Sequence, residues 1–295
     1  MLITDEEGTL NKKSHNEHLI RVNCELKKKR KLFVKKILLK CNDNLKQLAC
    51  CHTGKSDCNC YECLREGFYG KPDTYDCEKK MNYYVLNYGP SYASEIYHYL
   101  CNSKLLEWFS DRKKIKIISL GCGFAPDLIA ISKYIDDIQL PLQFEYVGID
   151  KSIYWQNVRY TKENANFIVA DVIASLNLKD FDLVIMAKLF STLYNHKVHD
   201  QFLLSFTNAA QKQLKPNSIV VFNDINSHHT GRDVFHNNMK GLFGSCRQFY
   251  CANPPYKDYK WIKIPENHIV FPIPINLSID PLQEIRNNIF FEYRK

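Results

Sequence analysis

The chain has 295 residues, of which 45% are hydrophobic and 24% charged, and its formal charge is +8. This length suits one catalytic domain with a smaller appendage and is sufficient for a full hydrophobic core. No run of about eighteen uncharged apolar residues occurs, so no membrane-spanning segment is predicted. The first residues also lack the apolar stretch of a secretory signal. We therefore expect an intracellular protein, cytoplasmic or, in a eukaryote, nuclear.

Residues 1–48 form a basic tail followed by a predicted helix. From residue 25 onward the apolar spacing is helical, and the side chains able to share one face are Leu32, Phe33, Ile37, Leu38 and Leu45. Residues 27–40 carry eight basic side chains and no acidic one. Such a run is found on solvated helix faces, and it is also the electrostatic footprint of proteins that contact phosphate backbones.

Residues 49–80 form a cysteine-rich segment, predicted to bind zinc. The chain has 12 cysteines, and eight of them lie from Cys24 to Cys77. In a reducing compartment such a local cluster binds metal more often than it forms disulfides. A closed zinc site also folds segments that are too short for a core of their own. The expected ligands are four of Cys51, Cys58, Cys60, Cys63, Cys77 and, as an alternative, His52. An iron–sulfur cluster and free structural thiols are the competing interpretations.

Residues 81–110 are rich in aromatic side chains and form a helical lead-in. Gly89-Pro90 predicts a break, after which Ser91 can cap a new helix. Four tyrosines in this stretch can stack on bases, wall a cofactor pocket or simply pack the helix: Tyr83, Tyr84, Tyr88 and Tyr92.

Residues 111–295 alternate short apolar runs with helical segments. The runs KIKIISLG, FEYVGID, ANFIVAD, FDLVIMA and SIVVFND read as strands, and KWIKI, HIVFPI and NIFFEY are candidates for the last ones. Strands separated by helices of this length predict βαβ units and therefore a doubly wound, mostly parallel α/β sheet.

The segment from Ser119 to Asp127 (SLGCGFAPD) is a glycine loop between a predicted strand and a predicted helix. Gly121 and Gly123 permit a tight turn and close approach of a ligand, and Pro126 suits the first helical position. A dinucleotide fingerprint requires Gly or Ala where this chain has Pro126. Asp127, in the first helical turn, would repel a pyrophosphate. The loop therefore favours S-adenosylmethionine, a zwitterion with a sulfonium, over NAD.

Two further acids follow predicted strands. Asp150 ends YVGID, where a carboxylate can accept both ribose hydroxyls, and Asp171 ends FIVAD, where it can accept from an adenine amine. With these motifs, residues from Lys114 to about Asp224 resemble the class I S-adenosylmethionine-dependent methyltransferases. Many members carry an acid two residues before the first glycine, where this chain has Ser119. The ammonium partner would then be Asp127 or a backbone carbonyl.

The resemblance implies a seven-stranded sheet and a cofactor site made of Gly121, Cys122, Gly123, Asp127, Asp150, Lys151, Asp171, Val172 and Ala187. Acceptor substrates of such folds arrive at the carboxyl ends of the strands. Lys188 and Asp224 are therefore the candidate catalytic residues, with His228 and His229 as a possible base or phosphate contact or, alternatively, a surface pair.

Residues 253–256 (NPPY) resemble the signature of methyltransferases that act on adenine or cytosine amines. That signature belongs after the fourth strand, whereas here it follows the fifth. It is either catalytic in a permuted topology or a proline-rich turn.

We predict a zinc-containing methyltransferase that acts on nucleic acid, RNA rather than DNA, captured by the basic, metal-stapled N-terminal region. No membrane partner is expected. One alternative is a methyltransferase for a protein or small molecule, with the metal segment as a lid. The other is a degenerate fold that serves as a binding module.

Overall fold

A computed structural model describes residues 34–51, 54–55, 57–58, 60–70, 77–174, 176–254 and 260–295. Its helices are α1 (34–47), α2 (Tyr61–Phe68), α3 (Glu78–Ser103), α4 (Pro126–Asp137), α5 (Phe190–Asn195), α6 (His199–Gln213) and α7 (Arg232–Met239). Its strands are β1 (Lys114–Leu120), β2 (Gln143–Asp150), β3 (Ala165–Val169), β4 (Leu183–Ala187), β5 (Ile219–Ile225), β6 (Ser245–Cys251), β7 (Ile262–Ile264) and β8 (Asn288–Arg294).

The strands form one sheet in the order β3-β2-β1-β4-β5-β8-β6-β7. Strands β1 to β5 pair in parallel, and β8 runs antiparallel between β5 and β6. The prediction of a doubly wound, mostly parallel α/β sheet is confirmed. The expected count of seven strands is wrong for the described residues, because the short strand β7 pairs along the outer edge of β6. An added strand of this kind satisfies backbone groups that an open edge would leave unpaired.

Two hydrophobic cores cover the two faces of the sheet. Because successive side chains of a strand point to opposite faces, Ile117 joins one core and Ile118 the other. The first core contains α3 and α4 residues such as Leu86, and the second contains α6 and α7 residues such as Phe202 and Phe235. Because the helices cover both faces of the sheet, the ends of the strands are the part left uncovered.

Helix α3 runs without interruption through Pro90, so the predicted break at Gly89-Pro90 is wrong. One hydrogen bond within the helix and one from a distant segment support the helix beside the proline, which itself lacks a donor. Ser94 Oγ donates to the Pro90 carbonyl at 2.6 Å, and the Leu282 amide donates to the Asn87 carbonyl at 3.0 Å. Ser91 does not cap a helix, since its hydroxyl donates to the carbonyl of Glu284 at 3.1 Å.

Helix α1 packs against the domain through one narrow apolar face. Val34, Leu38 and Leu45 are buried and Ile37 is partly buried, and each buried Val or Leu side chain contributes roughly 1.5–3 kcal/mol. The basic residues 27–31 lie outside the described residues, and so do Leu32 and Phe33. No described helix is both long and apolar enough to cross a membrane.

The C-terminal third departs from its predicted strands. NIFFEY forms β8 and KWIKI contains β7, but within HIVFPI only His268 makes a β-bridge, to Glu284. Strand β6 (SCRQFYC) was not predicted, because the adjacent polar residues Arg247 and Gln248 interrupt its apolar residues.

Candidate functional site

A cavity of ≈ 680 Å³ lies at the carboxyl ends of β1 to β4. Its floor is formed by the loops that follow these strands, including Gly121, Asp150, Asp171 and Ala187. Strand order reverses between β1 and β4, and open α/β sheets bind ligands in the crevice at such a point. The volume is that of a site for a cofactor or drug-sized molecule.

The glycine loop has positive φ angles and close contacts that residues with a Cβ rarely tolerate. Gly121 has φ +65°, and a Cβ there would lie 2.7 Å from Leu189 Cδ1. Gly123 has φ +51° and lies against the ring of Trp155. Gly121 therefore lets the loop after β1 approach the loop after β4, and Gly123 lets it approach the segment after β2.

Three amide groups of this loop are already hydrogen-bonded within the protein. Cys122 donates to the carbonyl of Ile149 at 3.0 Å and Ala125 to that of Cys122 at 2.7 Å. Gly123 donates to Asp150 Oδ2 at 2.9 Å. Pyrophosphate sites use such loop amides and a free helix N-terminus. The loop therefore offers little to a pyrophosphate.

Asp127, in the first turn of α4, has its side chain inside the protein. Its side chain is fully buried and accepts from the hydroxyl of Tyr146 at 3.0 and 3.1 Å, from the hydroxyl of Ser119 and from the amide of Leu128. Burial raises its pKa, and these hydrogen bonds oppose the shift. Asp127 does not line the cavity, so its predicted contact with a ligand ammonium does not fit. It instead occupies the N-terminus of α4.

Asp150 reaches the cavity from the end of β2. Oδ2 accepts from the Gly123 amide at 2.9 Å and Oδ1 from the Ser152 amide at 3.0 Å. Each carboxylate oxygen has a further lone pair, and a hydrogen bond from the Trp155 side chain uses one of them, so the group can accept one more hydrogen bond from a ligand. Burial raises the pKa of Asp150, while the amides and the charge of Arg159 oppose the shift.

The remaining predicted cofactor residues surround the same space. Asp171 is exposed at its edge, with Oδ1 accepting from the Ile173 amide at 2.9 Å. The predicted residues that line the cavity are Gly121, Cys122, Gly123, Asp150, Lys151, Asp171, Val172 and Ala187. Only Asp127 of the predicted set lies elsewhere.

Aromatic rings form one side of the cavity. Tyr84 and Tyr92 from α3 line it together with Phe124 and Trp155. Tyr84 meets Trp155 edge-on at 5.5 Å, and Tyr88 stacks on Tyr92 at 5.3 Å. Tyr83 instead packs against Tyr61 of α2. The sequence pointed to the tyrosines, but nothing local marked Trp155.

The two predicted catalytic residues take different positions. Lys188 lines the cavity, but its Nζ lies 2.9 Å from Oε1 of the buried Glu95 and its side chain is only 10% exposed. Asp224 is buried outside the cavity and accepts from the amide of Ser191 at 2.9 Å, in the first turn of α5. Burial raises its pKa, and the nearby Lys188 opposes the shift. A catalytic role for Asp224 therefore does not fit, because it cannot touch a ligand in the cavity.

The outer wall of the cavity joins α5 to α2. Asn195 and His196, at the end of α5, line the cavity together with Tyr69 and Gly70. His196 Nε2 lies 2.8 Å from the Gly67 carbonyl, and Asn195 Nδ2 donates to the Phe68 carbonyl at 3.2 Å. These residues were not predicted, since nothing in their local sequence distinguishes them from an ordinary loop.

Four thiols gather at the N-terminal end of α2. The Sγ atoms of Cys50, Cys58 and Cys60 lie within 4.8 Å of one another. Cys63 Sγ lies 3.7 Å from that of Cys50 and 3.9 Å from that of Cys58. We call these four residues the cysteine cluster.

The cluster differs from the predicted ligand set. Cys51 and Cys77 do not join it, because Cys51 is exposed and its amide donates to Cys77 Sγ at 3.4 Å. Cys50 takes the place expected of Cys51. His52 lies outside the described residues.

Two other predicted features lie away from the cavity. His228 and His229 pair with each other at 3.8 Å in a short 3₁₀ helix after β5. Asn253 follows β6, which β5 and β8 separate from β4, and its carbonyl accepts from Asn226. Residues 255 and 256 of NPPY lie outside the described residues. The position of Asn253 favours the turn interpretation over the catalytic one.

No family model and no curated protein matches the chain. Solved structures similar to it include N-methyltransferase NodS from Bradyrhizobium japonicum WM9 in complex with S-adenosyl-L-homocysteine, at 10% identity and TM-score 0.43, covering 81% of this chain and 99% of that one. Another is the plantazolicin methyltransferase BpumL, at 14% identity and TM-score 0.44, covering 88% and 100%. A putative RNA methyltransferase from Pyrococcus horikoshii has 15% identity and TM-score 0.39, covering 69% and 81%. Likenesses at this level assign neither an activity nor a substrate to this chain.

Proposed function

We propose that the chain is an S-adenosylmethionine-dependent methyltransferase that binds its cofactor in the cavity at the ends of β1 to β4. The observation that carries the proposal is the pairing of Asp150 with the glycine loop. Three of the loop's amides are hydrogen-bonded within the protein, which disfavours a pyrophosphate, while Asp150 keeps acceptor capacity for a ribose hydroxyl. Gly121 supplies the close backbone approach that a ligand on this floor needs.

When bound, S-adenosylmethionine supplies a methyl group activated by its sulfonium. The residues of the chain have to orient the acceptor in line with that methyl group, and orientation of this kind can supply most of the catalysis. Tyr84 and Tyr92 form the face against which a planar acceptor can stack. Lys188 positions the acceptor rather than acting as a base, because its side chain is ion-paired with Glu95.

We propose RNA as the acceptor. The formal charge of +8 and the basic run 27–40 support a polyanionic substrate. Lys35, Lys36 and Lys46 of α1 face solvent. Lys40 Nζ donates to the carbonyl of Asn157 at 2.9 Å, two residues beyond the cavity residue Trp155. The basic face of α1 therefore lies beside the cavity loop, where it can hold a phosphate backbone.

We also propose that the chain binds zinc in its cysteine-rich segment. The thiols are not among the residues that line the cavity. The metal would therefore stabilise structure and take no part in methyl transfer.

The test is to incubate the zinc-loaded full chain with methyl-labelled S-adenosylmethionine and, separately, total RNA, DNA or protein. Label in the RNA fraction, lost in Asp150→Asn and weakened steeply by salt, is the expected result. Label in protein alone would overturn the RNA acceptor and favour the protein alternative. An absence of label in every fraction, with cofactor bound, would favour the binding module.

A further inference from the structure

Two sulfur–sulfur distances in the cysteine cluster match those of a tetrahedral four-thiolate zinc site. Zinc–thiolate bonds of about 2.3 Å at tetrahedral angles place the sulfur atoms about 3.8 Å apart. Cys63 lies 3.7 Å from Cys50 and 3.9 Å from Cys58, sulfur to sulfur. Disulfides require about 2.05 Å, and the described cysteines form none.

The backbone around the cluster supports the same interpretation. Cys50 begins a tight turn in which its amide donates to the Lys55 carbonyl at 2.9 Å and its carbonyl accepts from Gly54 at 2.7 Å. The amide of Cys60 points at Cys58 Sγ, 3.4 Å away, and such outer-shell donors orient metal ligands. Cys60 holds φ +63°. A non-glycine residue keeps that conformation only where its surroundings determine it.

The cluster is joined directly to the cavity wall through α2. Cys60 caps the N-terminus of this helix and Cys63 lies in its first turn. At its other end, residues 67–70, which we call the α2 wall, accept hydrogen bonds from Asn195 and His196 and contribute Tyr69 and Gly70 to the cavity lining. One short helix therefore spans from the thiols to the site.

Within the described residues, the apolar packing of α2 on the rest of the domain is limited. It has eight residues, and isolated helices shorter than about 12 residues are marginal in water. Leu64 is its one buried aliphatic side chain, and Tyr61 meets Tyr83 of α3 edge-on at 6.5 Å. A metal at its N-terminal end would supply the missing constraint.

We infer that Cys50, Cys58, Cys60 and Cys63 bind one structural zinc ion, and that this ion holds the α2 wall against α5 and so closes the outer side of the cavity. The metal assignment is independent of the proposed methyltransferase activity. Only its effect on cofactor affinity rests on that function.

The experiment uses the full chain, loaded with zinc, stripped by a chelator and then reloaded. Elemental analysis should give one zinc per chain, and the cobalt-substituted protein should show the visible absorption of tetrahedral thiolate coordination. Cys60→Ser should lose the metal, whereas the matched control Cys51→Ser should keep it. Stripping should raise amide hydrogen exchange at residues 61–70 and 190–198 at least tenfold and weaken S-adenosylhomocysteine binding by a similar factor, both reversed by reloading.

Metal retained in Cys60→Ser but lost in Cys51→Ser would overturn the ligand set. Unchanged exchange at residues 190–198 after stripping would overturn the role in the cavity wall. If Cys60→Ser fails to fold, the strip-and-reload cycle on the unmodified chain decides the same point. A zinc-loaded chain that does not bind S-adenosylhomocysteine would count against the proposed function alone, since metal content and exchange still test this inference.

Discussion

Replacing Asp150 by Asn tests whether this carboxylate binds the cofactor. Both of its oxygens already accept a backbone amide, from Gly123 and Ser152. An Asn side chain has only one oxygen, so whichever way the amide is turned its NH₂ group meets one of these donors. The negative charge that strengthens any hydrogen bond from a ribose hydroxyl is also lost.

The expected loss follows from these contacts. A hydrogen bond to a charged group contributes about 1.5–3 kcal/mol, so losing the charge and one acceptor should weaken binding roughly 10- to 150-fold. Isothermal titration calorimetry with S-adenosylhomocysteine measures the affinity, with the exposed acid Glu163→Gln as the matched control. Near-ultraviolet circular dichroism checks that the variant is folded.

The pH dependence provides a second readout for the same residue. Burial raises the pKa of Asp150, and a ribose hydroxyl donates best to the ionised carboxylate. The affinity of the unmodified chain should therefore fall as the pH drops through this raised pKa, and Asp150→Asn should lack that step. A folded Asp150→Asn that binds within threefold of the unmodified chain would refute the assignment.

Three further predictions concern the structure around the site. Gly121→Ala should destabilise the chain in urea by about 1–3 kcal/mol from its φ alone and by more from the clash with Leu189. Adding Leu189→Ala should remove part of this extra cost, because only the Leu189 Cβ then remains, 3.2 Å from the new methyl group; no recovery at all would contradict the clash. Burial raises the pKa of Asp127, so the native state binds the proton more tightly and stability should fall as pH rises above the ordinary value of 3.8. Urea titrations at several pH values should show this fall, about 1.4 kcal/mol for each pH unit between the folded and unfolded pKa, and Asp127→Asn should lack it. Lys188→Met leaves the buried Glu95 carboxylate without its counter-charge and should cost about 3–5 kcal/mol at neutral pH, most of it recovered by adding Glu95→Gln; an unaffected single variant would contradict the ion pair.

The sequence predicted the features whose signals are local. The five central strands are short, largely apolar runs, and the glycine loop and the acids at the ends of β2 and β3 follow them directly. Their meeting at one edge of the sheet therefore followed from the parallel topology. The predicted break at Pro90 was wrong because a tertiary hydrogen bond from Leu282 and a hydrogen bond from Ser94 within the helix oppose its helix-breaking tendency.

Other features depend on contacts that no local pattern encodes. Cys50 and Cys51 are adjacent, so spacing alone cannot tell which thiol points into the cluster. Asp127 was placed at the correct helix end, but its burial under Tyr146 is a property of the packed sheet. Residues such as Trp155 and His196 reach the cavity only because distant segments fold beside it.

The most direct test of the central claim is calorimetry of the zinc-loaded full chain with S-adenosylmethionine and, separately, with NAD. Asp150, the internally satisfied glycine loop and the buried Asp127 together predict one-to-one binding of S-adenosylmethionine and no binding of NAD. Binding of NAD without binding of S-adenosylmethionine would contradict the assignment of this cavity.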